Sequence, residues 1–261
     1  WLLDQWKNDE NISKSLTLNE FKPYLVVNTS GSRGVSLVEI PECTIMDSVP
    51  IAAFVDNKLV PVQLLPMDDG GFELDLKLPQ YAFTAEIDEW TAKIFWLLTV
   101  PKQMASSDSD IKEIYKELNI QCLGDGYSVK EMDDKFVLSS PKTKVEIDKA
   151  SGNVRQINFD GIELLSGPIA LKSYYDKSRA EFSWNLMPNW WESPLPDNEQ
   201  PPAFEIKEQG PIRWTIRISK DFGKNSKSWI DYSFVRDMEG LFVEIGFDFH
   251  ETETLVKYEI P

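Results

Sequence analysis

KVEIDKASGNVRQINFDGIELL, residues 144–165, is a stretch that folds back on itself twice. One strand runs into the turn Ser151-Gly152-Asn153, a second strand leaves it, and Asp160-Gly161 reverses the chain again toward IELL. Asp-Gly is among the strongest two-residue hairpin signals, because both central positions of that turn take a positive φ. The stretch reads as antiparallel sheet. Toward the C-terminus, IRWTIRI sets Ile212, Trp214, Ile216 and Ile218 on one face, the period-two pattern of a half-buried strand. SWIDYSFV (228–235) and LFVEIGFDF (241–249) are long aromatic strands. The last residues, FDFHETETLVKYEIP, read as a strand ending at Asp248, an acidic turn through Glu251, and a further strand from Leu255 whose neighbour is expected beyond Pro261.

Toward the N-terminus the pattern stays β. YLVVNTS and VSLVEI flank SGSRG, a Gly/Ser turn suited to a hairpin. PIAAFVD and LVPVQLL follow around Asn57-Lys58, FELDLKL (72–78) alternates apolar and acidic residues, and KIFWLLTV closes the group. PKQMASSDSD (101–110) is polar and Pro-led, a linker whose Ser and Asp residues suit the N-cap of one helix, IKEIYKEL. WLLDQWKNDE resembles the closing turns of an amphipathic helix. The expected organisation is an all-β chain: a helical tail over 1–14, a small antiparallel β-sandwich over 15–100, a linker with a short helix over 101–120, and a larger β domain over 121–261. Both ends are abrupt, so the chain reads as a segment of a longer protein whose native N-terminus is missing.

Composition narrows the function. A formal charge of −16, with pI near 4.5, argues against nucleic acid and against an anionic membrane surface, both of which need clustered Lys and Arg. No apolar run approaches the ~20 residues that span a bilayer. Cys43 and Cys122 have no metal-type spacing and read as buried thiols, which fits a reducing bacterial cytoplasm. There is no internal repeat and no Gly-rich phosphate loop.

Candidate sites are few. The single histidine, His250, beside Glu251, reads either as a turn residue or as one part of a zinc site needing three or four ligands. With one His, no Ser-His-Asp or Cys-His set forms without it. Pairs among the 43 acidic residues carry no glycosidase signal by themselves, since most are solvated surface. The segment SYYDKSRAEFSWNLMPNWWESPLP (173–196) differs: Tyr174, Tyr175, Phe182, Trp184, Trp190 and Trp191 crowd a stretch that fits neither strand nor helix. Such rings either pack on the C–H faces of a sugar or seal a sandwich end.

The order of these features resembles the β-rich region that follows the catalytic domain in glycoside hydrolase family 38, the α-mannosidases. YLVVNTSGSRGVSLVEI is similar to the family's opening strands, written around V-x-N-P. VDNKLVPVQLL resembles its Asp/Gly turn before V-P-x-Q. KVEIDKASGNVRQINFDGIELL resembles its hairpin with Gly-Arg or Gly-Asn at the turn, and FDFHETETLVKYEIP its V-D-W-x-E, L-L-K and F-P series. Three positions depart: Phe182-Ser183 stands where the family places Asp-Ala, removing a carboxylate beside the sugar-contact position, and Phe249 replaces a Trp.

The resemblance implies that the larger domain begins a galactose-mutarotase-like supersandwich. It implies a non-catalytic module in this chain, with no cofactor of its own. The parent enzyme would be zinc-dependent and retaining, with its metal ligands and Asp nucleophile in a separate catalytic domain. Expected partners are that catalytic domain and a mannoside substrate. Tyr175, Trp184 and Asn185 are the residues expected at the rim of the sugar site. Asp248, Glu251 and Lys257 are expected to form a charged network pinning the turn between the last two strands. A supersandwich cut at Pro261 exposes strand edges, so the isolated chain is expected either to self-associate as a homo-oligomer or to leave its last strands poorly ordered. The alternatives are a free-standing carbohydrate-binding β-sandwich and an accessory domain of another mutarotase-like enzyme.

Overall fold

The computed structural model describes residues 20–41, 48–56, 58–65, 80–118, 126–177, 186–196 and 200–261. The tail over 1–14, the strand FELDLKL and both cysteines lie outside these residues. The described chain is all-β, with antiparallel strand pairing and one α-helix. It divides into two compact units. The first runs to Gly124 and takes in Glu208–Trp214 and Val235–Met238; the second comprises Asp125–Lys207, Thr215–Phe234 and Glu239–Pro261.

In the first unit, β1 (Glu20–Val27), β3 (Ser48–Val55), β4 (Lys58–Pro61) and β7 (Ala92–Pro101) form a sheet in the order β1-β7-β3-β4. A second sheet, β2-β6-β5, is built from β2 (Gly34–Pro41), β5 (Gln63–Leu65) and β6 (Gln80–Ile87). Ile40, Ile51, Phe83, Phe95 and Leu97 are at most 1% exposed in a single core cluster. Rings from both sheets meet there: Tyr24 lies edge-on to Phe83 at 6.4 Å, and Phe83 lies 4.9 Å from Phe95. Burying each such ring stabilises the unit by about 1.5–3 kcal/mol.

The SGSRG turn is not a hairpin. β1 pairs with β7 and β2 with β6, so the chain changes sheet between them. Asn28 sets this crossing: its Nδ2 donates to the carbonyls of Ser32, Ile87 and Asp88, and its Oδ1 accepts from the Ser30 amide. The LVPVQLL segment likewise splits at Val62 into β4 and β5, on different sheets.

The helix α1 (Asp108–Glu117) begins as the sequence leads one to expect, with a capping box: Ser107 Oγ accepts from the Asp110 amide, and the Asp110 carboxylate accepts from the Ser107 amide. It is not a linker element. Ile114, Tyr115 and Leu118 are buried in the core of the first unit, and the Tyr115 hydroxyl donates to the Val62 carbonyl.

The second unit opens with a five-stranded meander, β8 (Ser128–Glu131), β9 (Lys135–Ser139), β10 (Thr143–Asp148), β11 (Val154–Phe159) and β12 (Ile162–Glu163). Asp160 and Gly161, with φ of 49° and 84°, make the expected tight turn. A second sheet runs β14 (Ala203–Gln209), β15 (Arg213–Phe222), β16 (Ser226–Val235), β17 (Phe242–Asp248) in that order. Trp214, Ile216 and Ile218 are buried along β15, as the alternation requires. Phe136 on the meander meets Phe204 on β14 at 4.9 Å. At the β10–β11 turn, Gly152 has a φ of 73°, and a Cβ there would press on Ile218 and Pro202. The last strand, β18 (Thr254–Glu259), does not pair with β17; its neighbour is β13 (Ala170–Tyr175), in a two-stranded ribbon. Among the described residues no helix is long and apolar enough to cross a membrane.

Candidate functional site

The ribbon of β13 and β18 floors a cleft of about 900 Å³ within the second unit. Strand alternation sorts its side chains. The register pairs Ala170 with Glu259, Lys172 with Lys257 and Tyr174 with Leu255, so these six share one face. Lys172, Tyr174, Lys257 and Glu259 line the cleft. Tyr175 is the next residue along and belongs to the opposite face; its hydroxyl donates to Glu253 Oε2 at 3.2 Å.

The aromatic segment is fixed beside β13 by backbone bonds. The Tyr175 amide donates to the Ser193 carbonyl and the Leu195 amide to the Ser173 carbonyl, both at 2.9 Å, and the Met187 amide donates to Asp176 Oδ1. Contrary to the irregular pattern of the sequence, Ser173–Tyr175 is therefore strand, and Trp190–Glu192 is a 3-10 turn. The result is a ladder of edge-on rings: Tyr174 to Trp190 at 4.9 Å and Trp190 to Trp191 at 5.6 Å. Tyr174, at the inner end, is 6% exposed; Trp191, at the outer end, is 57% exposed and reaches the cleft.

Charge is organised around Glu259. Its carboxylate accepts from the Tyr174 hydroxyl and lies 2.9 Å from Lys172 Nζ. The Tyr174 hydroxyl and then Lys172 hold its pKa below the usual carboxylate range, while the same hydrogen bond raises that of the phenol. Glu259 is thus a fixed acceptor at neutral pH. Lys257 Nζ sits 4.2 Å from the centroid of Trp190, a cation–π contact. An exposed indole with an acceptor and ammonium donors at its side can hold a polyhydroxylated ring by its C–H face and its hydroxyls.

The expected charged network does not form as one. Asp248 Oδ1 meets His250 Nε2 at 2.7 Å. Glu251 Oε1 accepts from the amides of Lys224 and Asn225 and from Ser226 Oγ, so it ties the β17–β18 connection, on which it lies, to the β15–β16 turn, and its partners are not Asp248 or Lys257. Those amides hold the Glu251 pKa below its ordinary value. Gly223 is required there, since its φ is 59° and a Cβ would overlap the Glu251 carboxylate. Lys257 belongs to the cleft. The reason is topological: β17 and β18 join different sheets, so the residues between and after them diverge. His250 and Asp248 offer two donors, and among the described residues no group of three or more His, Cys, Asp or Glu is gathered as metal ligands.

Of the three rim residues expected from the sequence, Tyr175 points away from the cleft and Trp184 and Asn185 lie outside the described residues. The sequence reading passed over Lys172 and Glu259 altogether. The signal for them was the period-two spacing of Lys172 with Tyr174 and of Lys257 with Glu259. The chain matches no protein-family model and no curated protein.

Proposed function

We propose that this chain is a non-catalytic, carbohydrate-binding β module of an α-mannosidase-like glycoside hydrolase of the family 38 type. The carrying observation is the ring ladder that ends in exposed Trp191 beside Glu259, Lys172 and Lys257 in one cleft. The four-segment resemblance supplies the mannoside class. In this reading the catalytic domain of the parent protein holds the zinc and the nucleophile, and this chain buttresses it and presents the cleft to the substrate. The chain alone is then inactive as a hydrolase.

The test is calorimetric titration of the chain with methyl α-mannoside and an α-mannobiose. Saturable binding is expected, and Trp191→Ala should weaken it at least about tenfold, about 1.4 kcal/mol. The thermal midpoint should stay unchanged, because Trp191 is the outermost ring of the ladder. No binding, or binding unaffected by Trp191→Ala, sinks the reading. A free-standing carbohydrate-binding protein is the second reading, favoured by the containment of the cleft within one unit of the chain. The length of the reading frame on either side of this segment separates the two.

A further inference from the structure

The outermost strand of a sheet has backbone groups with no neighbour, and proteins shield such edges with lysine, proline or brevity. Among the described residues β5 and β12 are three and two residues long, and the longer edge strands other than β17 each carry a Lys or a Pro, such as Pro23 on β1, Lys130 on β8 and Lys207 on β14. β17 ends its sheet with FVEIGFD, which contains neither. Among the described residues its backbone makes no hydrogen bond outside its own sheet. Phe242, Val243, Phe247 and the following Phe249 are 37–45% exposed. Val243, Ile245 and Phe247 lie opposite Tyr232, Ile230 and Ser228, all buried, so the core-side face continues to the rim of the sheet.

Two copies of such a strand can pair antiparallel about a two-fold axis, and the pleat then allows partners of equal parity only. The registers that keep most of β17 paired differ in charge. Centring on Glu244 sets that carboxylate against its own copy, and centring on Gly246 sets Glu244 against Asp248. Like charges directly opposite destabilise a sheet. Centring on Ile245 sets Glu244 against Gly246, Asp248 against Phe242 and Val243 against Phe247, and it keeps the whole strand in the ladder. We propose that a second copy of this chain docks on β17, strand to strand, in the register centred on Ile245. The two four-stranded sheets then join into one. The contact stands apart from the sugar cleft and needs no ligand.

The experiment is sedimentation velocity of the whole chain. A contact of this size is at the small end of specific interfaces, so dissociation on the order of micromolar is expected. The mass should rise with concentration to twice the 30.0 kDa of one chain. Added salt should tighten the dimer, because each copy carries a charge of −16. Phe242→Asp sets a carboxylate against Asp248 twice per dimer and should weaken association at least about tenfold, while Phe242→Lys should keep or tighten it. Leu164, exposed beside β12, is the control, and Leu164→Asp and Leu164→Lys should show no such split. A split of the same size there traces association to net charge and overturns the register. Should a Phe242 variant fail to fold, amide exchange of the parent chain decides: protection along β17 should rise with concentration. A rise at another edge in place of β17 overturns the proposal. So does a chain that stays monomeric, one that answers both Phe242 substitutions alike, or one that assembles beyond two copies, since a two-fold contact closes at two.

Discussion

At the scale of the residue, Gln63 shows how one buried amide organises a turn. In the first unit, its Oε1 accepts from the amides of Ile212 and Arg213, and its Nε2 donates to Glu208 Oε2. Gln63 is 5% exposed, so water does not replace these partners. Gly210 lets the side chain lie there: a Cβ on it would stand 2.1 Å from Gln63 Cδ. The Glu208 carboxylate is in turn held bidentate by Arg213. Gln63→Leu should therefore destabilise the protein by about 3 kcal/mol, through stranded amides and a disturbed ion pair. Urea unfolding checks this: a lower midpoint with unchanged slope is expected. A loss under about 0.5 kcal/mol, the ordinary range for a surface change, would mean the turn holds itself. The V-P-x-Q resemblance marks Gln63 as a position but not its role, because its partners lie roughly 150 residues away.

At the scale of the element, β16 and β17 meet through an unequal pair. Trp229 lies opposite Gly246, and a Cβ on Gly246 would fall 1.8 Å from the indole. The ring lies across the glycine and fills the place of a side chain. Gly246→Ala should cost about 2 kcal/mol, the usual penalty of overpacking, and amide exchange along β17 should quicken. Unchanged protection would show that the indole moves freely aside. Elements with strong local patterns were legible in the sequence: the alternation of β15, the Asp160-Gly161 turn and the cap of α1 all stand where residue chemistry puts them. Partners were not. β13 was hidden in an aromatic run, its neighbour β18 lies some 80 residues on, and β9 is a continuous apolar run, Phe136–Leu138, without the alternation that marks a half-wet strand. The SGSRG segment misled for the same reason. A local Gly/Ser turn predicts a hairpin, but the Asn28 amide ties it to the β6–β7 connection. The candidate site was legible as an aromatic concentration and became a cleft only through the register of β13 and β18.

At the scale of the molecule, acid should act unevenly on the two units. In the second unit Glu146, Glu251 and Glu259 are held below the usual carboxylate range, by Lys135 and Lys144, by the Asn225 and Lys224 amides, and by Tyr174 and Lys172 respectively. In the first unit Asp110, bonded to Ser107 and Ser106, is the described carboxylate so held. A lowered folded-state pKa contributes stability that is complete above the ordinary carboxylate value and is lost as pH falls through the folded value. Acidification from neutrality to about pH 3, past the ordinary carboxylate range, should weaken the second unit before the first. Meanwhile relief of the −16 charge acts on the whole chain. Hydrogen exchange read segment by segment after equilibration at each pH checks the order. Simultaneous loss of both units, or earlier loss of the first, would refute it.

The indole of Trp229 over Gly246 also has a meaning for descent. A lineage that shrinks the tryptophan uncovers a bare stretch of backbone, and one that enlarges the glycine pushes the ring off its seat. Either step alone is a loss, while the two together restore a filled surface, so their effects are not additive. Diverging descendants of this protein should keep both residues or exchange both, and the route between those states crosses a valley that selection rarely permits in single steps.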